Sequence, residues 1–246
     1  MDRNYKRKNK MTKNFKLDES LSVVIPAYNE EGNLPNLIRD TVRNAKKISK
    51  DFEIIIVNDG SPDKTGEVAD DLANKYKEVR TVHHKVNKGL ALAWRTGIKS
   101  AKKDIILYIE GDGQQPFGNQ YALLDKIKTC DLVLGFRSQR FDYTFFRKCL
   151  SYGYLALIFI FFGLKYKDVG WSQAYRRKIF DKIKMKSVTP FFDTEVIIKA
   201  QRLGFKVTGA RSYYRSRKTG FTSLGNLRTA VKMFMEMMKM RFGLLD

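Results

Sequence analysis

Two carboxylates flanking a glycine, Glu110-Gly111-Asp112, follow directly on an apolar run that ends at Ile109. Oxygen ligands of this kind suit Mg²⁺ or Mn²⁺, which are commonly held by one or two carboxylates together with substrate phosphates. Gly111 has no Cβ and lets a diphosphate approach the backbone. Gln114, two residues past Asp112, adds a neutral oxygen. An acidic turn is the plainer alternative. Asp59 ends a second apolar run, ahead of the turn sequence Gly60-Ser61-Pro62. It can accept hydrogen bonds from a nucleobase or ribose, or it can cap a helix starting near Asp63–Thr65. Tyr28 and Glu30, after Pro26, offer a ring to stack on a base and a carboxylate to bond it; helix initiation is the alternative. Lys88-Gly89 opens a helix, and helix N-termini attract phosphate; an ordinary solvated lysine is the alternative. His83 and His84 read as strand-end packing, a metal or catalytic role being the alternative, and the methionines between Met233 and Met240 as a soft packing or interface stripe.

These groups are positioned by an alternation of apolar runs and helices. The spacing predicts strands over Leu21–Ile25, Phe52–Val57, Val79–His83, Asp104–Ile109 and Asp131–Gly135. Helices are expected over Glu31–Ile48, Asp63–Tyr76, Lys88–Ala101 and Gln120–Lys128. Alternation of this kind implies βαβ units and an α/β fold with a mainly parallel central sheet. In open sheets, ligands bind past the carboxyl ends of the strands. The segments PAYNE, VNDGSPDKT, NKG and EGDGQQP all stand where apolar runs end. No GxxxxGK[ST] occurs, and no GxGxxG follows a strand, which argues against a P-loop or dinucleotide-type site. Beyond Phe136 the alternation fails. An apolar segment, Cys149–Leu164, is followed by an expected strand at Trp171–Tyr175, a helix over Asp193–Leu203 and a strand at Lys206–Ala210. An amphipathic helix is expected over Leu224–Phe242, with Leu227, Val231, Phe234 and Met238 on one side and Lys232, Glu236 and Lys239 elsewhere.

The chain has 246 residues, 43% of them hydrophobic, enough for one large domain or one domain with an appendage. With 47 Lys and Arg against 26 Asp and Glu, its net charge is +21. Such a surface seeks nucleic acid, anionic lipid or phosphorylated substrates. Cys130 and Cys149 form no disulfide framework, so a reducing cytosol is expected. No signal peptide is expected at the N-terminus, and residues 1–18 read as a disordered basic arm. The apolar segment at 149–164 falls short of the ~20 residues that cross a bilayer. It is expected to be buried in protein or embedded in a membrane interface.

In order and spacing, PAYNE, VNDGSPDKT, NKG and the DxD-like EGD resemble glycosyltransferase family 2, which carries a Rossmann-like nucleotide-sugar-binding domain called GT-A. Within it, the chain looks most like the dolichyl- and polyprenyl-phosphate mannose and glucose synthases. The resemblance implies a GT-A domain over 19–223, the 149–164 segment lying at a membrane interface, and a C-terminal amphipathic helix over 224–246. It implies a GDP- or UDP-hexose donor contacted by Pro26, Ala27, Tyr28, Glu30, Val57, Asp59, Lys88, Gly111 and Arg217. Mg²⁺ or Mn²⁺ would be held by Glu110, Asp112 and Gln114, with Glu110 in the place of the motif's first aspartate. Arg137 and Arg147 match arginines that face the acceptor lipid phosphate. Asp168 and the run Ala174–Arg177 resemble a strand of the family in which WSQ, Trp171–Gln173, replaces the usual SGF. Ser223 stands where a basic residue is common.

The implied reaction is inverting: the phosphate of a polyprenyl or dolichyl carrier attacks the anomeric carbon of the donor at the cytoplasmic face of a membrane. A phosphate monoester is already ionised and needs no strong base. If the acceptor were a saccharide or protein hydroxyl, Asp193 and Glu195 would be candidate bases; both also read as helix N-terminal acids. A basic polyanion-binding protein with a degenerate fold is the remaining alternative. Acids clustered at strand ends would repel nucleic acid, so no nucleic-acid partner is expected.

Overall fold

The computed structural model describes residues 15–137, 145–213 and 227–245, the side chains of 145–147 excepted. Ordered packing begins inside the expected arm: Leu17 is buried and its N–H donates to the carbonyl of Ile48 at 2.8 Å. The strands are β1 (Leu21–Ala27), β2 (Phe52–Asn58), β3 (Val79–His83), β4 (Ile105–Tyr108), β5 (Leu132–Arg137), β6 (Gln173–Arg176) and β7 (Val207–Ser212). They form one sheet in the order β3-β2-β1-β4-β6-β5-β7. Every pairing is parallel except those of β6, which runs against both β4 and β5.

Helices cover both faces, so β1 and β2 are buried at every position, as parallel strands usually are. Alternate side chains feed two cores. Val23, Ile25, Ile54 and Ile56 join Leu34, Ile38 and Val42 of α1 (Leu34–Ile48) and Ala69 and Leu72 of α2 (Thr65–Lys75). The spacing of the buried positions in α1 is the i, i+3/i+4 stripe that a helix presents to a sheet. Val24, Ile55 and Val57 face Trp94 of α3 (Leu90–Ser100) and Val196 and Ile197 of α7 (Phe192–Arg202). Trp94 centres this second core, its ring 4.7 Å from Phe192 and 6.0 Å from Tyr175.

Observed ends differ from expectation by one to three residues where the sheet hydrogen bonds carry on into polar sequence, as at Asn58 and Arg137. A 3-10 turn at Phe117–Asn119 and the short helix α6 (Lys178–Lys182) were not foreseen. A short helix α4 (Tyr121–Lys126) falls inside the span expected. The apolar segment forms α5 (Phe145–Phe162), which starts earlier than expected. One side of α5 packs, through Ile158 and a 2.7 Å hydrogen bond between the hydroxyls of Tyr154 and Thr194; Tyr152, Phe159 and Ile160 are exposed. Among the described residues, no helix is long and apolar enough to cross a membrane.

The last helix, α8 (Leu227–Arg241), turns the expected way round only in part. Leu227, Val231 and Phe234 point outward, and Glu236, Met237 and Met240 are buried. Glu236 goes inside because the protein supplies its donors. Its carboxylate accepts the N–H of Val188 at 3.0 Å and the hydroxyls of Thr189, at 2.5 Å, and of Ser187. A buried carboxylate so bonded avoids the cost of an unpaired charge.

Candidate functional site

Parallel register brings the carboxyl ends of β1, β2 and β3 level: Ala27 lies beside Asn58, and Asn58 beside His83. Tyr108, the last residue of β4, lies beside Gln173, the first of β6. The expected site segments therefore share one rim. β1 stands at its centre. The N–H of Asp59 donates to the carbonyl of Ala27 at 3.0 Å, and that of Gly111 to the carbonyl of Pro26 at 3.0 Å. Asp59 and Gly111 so flank the same strand end.

Asp59 is buried, and its partners are backbone groups of the NKG turn. Oδ1 accepts the N–H of Lys88 at 2.9 Å, and Oδ2 accepts that of Gly89 at 2.8 Å. His84 Nδ1 lies 2.7 Å from Oδ1, and its Nε2 lies 2.9 Å from Thr96 Oγ1 in α3. Gly89 has φ of +88°, a conformation that favours glycine, and it caps α3. Asp59 does not cap α2, whose N-cap is Lys64; Asp63 Oδ1 accepts the N–H of Thr65, the first helical residue, at 3.0 Å. His84 thus pairs with Asp59 at the rim, which goes beyond the strand-end packing favoured for it from the sequence. A histidine next to a strand end gives no signal of a carboxylate 25 residues earlier.

Tyr28 is 43% exposed, its ring open to solvent beside the rim. Glu30 is buried; its N–H donates to Thr65 Oγ1 at 2.8 Å, and Oε2 accepts Asn33 Nδ2 at 2.6 Å. Val57 and Ala27 are buried in the two cores, so only their backbones face the rim. Lys88 is exposed.

Across β1, Glu110 and Asp112 stand at the end of β4. Asp112 is buried, and Oδ1 accepts the N–H of Gln114 at 2.9 Å, which orients the carboxylate. Gly111 is required for a reason the sequence did not give: a Cβ there would lie 2.8 Å from the Pro26 carbonyl oxygen and 3.1 Å from the Ala27 Cβ. Negative charge accumulates here. Burial pushes the Tyr108 hydroxyl well up, and Glu110, Asp193 and Asp112 add to the shift. Burial, then the charge of Glu110, likewise pushes the Asp193 carboxyl well above the usual range, with Gln173 acting the other way. Asp193 Oδ1 and Gln173 Nε2 are buried without hydrogen-bond partners. Among the described residues, no three His, Cys, Asp or Glu side chains form a metal-holding cluster. Two carboxylates with Gln114 nearby nonetheless fit a hard cation that completes its coordination with substrate phosphates and water.

The two candidate bases separate. Glu195 is fully buried and bonded, accepting the N–H of Lys186 and of Ser187 at 2.8 Å each and pairing with Lys199 at 2.9 Å. It is a structural group. Asp193, two residues earlier, is buried, and the charge of Glu110 adds to the rise in its pKa.

Arg137 ends β5 and forms a fork with Asp168: Nε to Oδ2 at 2.8 Å and Nη2 to Oδ1 at 3.0 Å. Its guanidinium lies 4.6 Å from the Trp171 ring, and Trp171 Nε1 donates to Ser212 Oγ at 3.2 Å. Arg147 has its backbone in α5, but its side chain lies outside the described residues, as do Arg217 and Ser223.

The sequence model described as Glycosyl transferase family 2 matches residues 22–184. A dolichyl-phosphate beta-glucosyltransferase of Trichomonas vaginalis is 32% identical over 205 residues, covering 76% of this chain and 63% of its own. An undecaprenyl-phosphate 4-deoxy-4-formamido-L-arabinose transferase of Proteus mirabilis is 30% identical over 217 residues, covering 87% of this chain and 67% of its own. The chain thus spans about two thirds of the length of these relatives. In three dimensions it resembles glucosyl-3-phosphoglycerate synthase from Mycobacterium tuberculosis, in complex with phosphoglyceric acid, at a TM-score of 0.70 and 19% identity, covering 92% of this chain and 81% of that one. A mannosyltransferase from Pyrobaculum calidifontis, in complex with GDP-Man and Mn²⁺, aligns at 0.63 and 16% identity over 96% of this chain and 71% of that one. These two likenesses bear on the fold alone.

Proposed function

The chain belongs to glycosyl transferase family 2, and from that premise we propose that it moves a hexose from a nucleotide diphosphate sugar to a polyprenyl phosphate at a membrane surface. The observation that carries this reading is the shared rim, where Asp59 and Gly111 flank the end of β1 through backbone bonds to Ala27 and Pro26 and the buried Asp112 carboxylate is held by the Gln114 amide. Acids so placed are stabilised by a cation, and a cation on this rim is matched to a diphosphate.

Glu110, Asp112 and Gln114 would hold Mg²⁺ or Mn²⁺, which when bound offsets the charge that builds on the leaving nucleotide. The M. tuberculosis synthase with UDP and Mn²⁺, and the mannosyltransferase with GDP-Man and Mn²⁺, support this choice of ligand. Tyr28 stacks on the base, and Glu30 bonds to it. Asp59 acts by holding the Lys88–Gly89 turn, which sets the N-terminus of α3 and the Lys88 ammonium toward the phosphates. Pro26, Ala27, Val57 and Gly111 contribute backbone, and Arg217, outside the described residues, would bind the donor. Arg137 and Arg147 face the acceptor phosphate. In that role the Arg137 fork is preorganised by Asp168 and Trp171. The names of the relatives, which act on dolichyl and undecaprenyl phosphate, support this acceptor.

Attachment to lipid would rest on the exposed apolar side chains of α5 and α8 together with the charge of +21. Each cation near an anionic surface contributes about 1 kcal/mol. The protein would then be peripheral to the cytoplasmic face of a membrane, with the GT-A unit over 19–223.

The test is thermal stabilisation by a panel of GDP- and UDP-sugars with and without Mn²⁺. We expect metal-dependent stabilisation by one nucleotide class and its loss in Asp112→Ala. Equal stabilisation of both proteins would overturn the assigned metal role. Asp193, buried with a raised pKa beside Glu110, favours one second reading, a hydroxyl acceptor activated by that carboxyl. Loss of transfer to a soluble saccharide in Asp193→Asn, with no transfer to polyprenyl phosphate in wild type, would establish that reading instead.

A further inference from the structure

At the other end of the strands, a cleft of about 320 Å³ opens beside the starts of β2 and β3. Phe52 and Val79 line its apolar part, and Lys77, Arg80, Lys102 and Lys103 bring four cations to it. β2 has seven residues, so its start lies about 20 Å from the carboxyl rim.

The charges here sort into matched and unmatched groups. Glu53, a buried carboxylate, accepts Ser22 Oγ at 2.7 Å, the N–H of Lys102 at 2.7 Å and Arg80 Nε at 3.0 Å. It neutralises Arg80 and fixes the backbone at Lys102. Lys103 is matched by Asp51 at 2.5 Å, and Glu78 Oε1 by Lys46 at 3.2 Å. Lys77 and Lys102 remain. Both are exposed, and neither makes an ion pair among the described residues. One further atom is unmatched: Glu78 Oε2 is buried without a hydrogen-bond partner. Each lysine follows a helix C-terminus, which favours a cation there; that alone leaves the cleft between them unexplained.

We propose that this cleft is a second anion site, separate from the rim, that takes a small phosphate ester. Lys77 and Lys102 would meet the phosphate, the Phe52 ring would lie against the body of the ligand, and a ligand hydroxyl would donate to Glu78 Oε2. The shared chemistry is a phosphoryl group, whether free in solution or on a lipid headgroup.

The probe is inorganic pyrophosphate in the presence of EDTA, so that a rim needing a divalent cation is silent. Wild type is expected to melt about 2–4 °C higher at saturation. Lys77→Gln/Lys102→Gln should lose that shift, and Lys77→Arg/Lys102→Arg should keep it, which separates lost charge from lost folding. Asp112→Ala should respond like wild type. A full shift in the Gln variant, or its loss in Asp112→Ala, would overturn the proposal. The second arm is sedimentation with phosphatidylglycerol vesicles. Reduced sedimentation of the Gln variant assigns the phosphate to lipid, and unchanged sedimentation assigns it to a soluble ester.

Discussion

The Asp59 carboxylate holds the backbone of Lys88, 29 residues away, by accepting its N–H at 2.9 Å, and takes the neighbouring Gly89 with its other oxygen. A side chain at the end of β2 therefore fixes the first turn of α3. Asp59→Ala would strand two amides and His84 without their acceptor. We expect a loss of about 2–4 kcal/mol in urea unfolding. Nucleotide-sugar affinity should fall at least tenfold, read by isothermal titration.

Gly111→Ala places a methyl 2.8 Å from the Pro26 carbonyl oxygen. The end of β4 must move off β1 to admit it. A stability loss of about 1–3 kcal/mol is expected from overpacking of this kind, with weaker Mn²⁺-dependent stabilisation because Asp112 moves too. A variant with wild-type melting and wild-type metal response would show that the rim tolerates the methyl.

Removing Asp168 takes the fork partner from the largely buried Arg137 guanidinium. Asp168→Ala should cost about 3–5 kcal/mol. Arg137→Lys should cost less, since the charge stays and only the fork and the stacking on Trp171 are lost. The ranking of the two, by chemical denaturation, is the check.

Glu53 supplies a pH test remote from the rim. Burial alone would raise its pKa, but bonds from Ser22, the Lys102 amide and Arg80 outweigh it and hold the carboxyl below 4.5. A lowered folded-state pKa gives stability that is present above 4.5 and is lost as pH falls through the folded value. Glu53→Gln should therefore be less stable than wild type by about 1–2 kcal/mol at pH 7. The gap should close progressively below pH 4.5. A gap independent of pH would remove the carboxylate as its cause.

Much of this was legible in the sequence, and the limit is physical. The apolar runs of β1 and β2 and the periodic stripe of α1 are local patterns, and they place these elements to within three residues. The carboxylates at strand ends were likewise visible, because a strand stops where polar residues begin. Pairings across long separations were not. Nothing near Arg137 announces Asp168, 31 residues on, and nothing in a helical wheel says that Glu236 faces in while Phe234 faces out. That orientation is decided by donors at Ser187, Val188 and Thr189, which only the fold brings near. Glu195 was placed among candidate bases because helix position looks the same for a free acid and a bonded one.

The reversed direction of β6 has one more consequence. Because it runs against β4 and β5, its entry lies on the same rim as the exit of β5. The 35 positions from 138 to 172 thus leave the sheet and rejoin it at neighbouring points. A detour with adjacent ends can lengthen, shorten or be swapped between homologues while all seven strands keep their alignment. On the proposed function, the choice of what receives the sugar would then be free to change in this stretch, while the residues proposed to read the donor stay anchored to β1, β2 and β4.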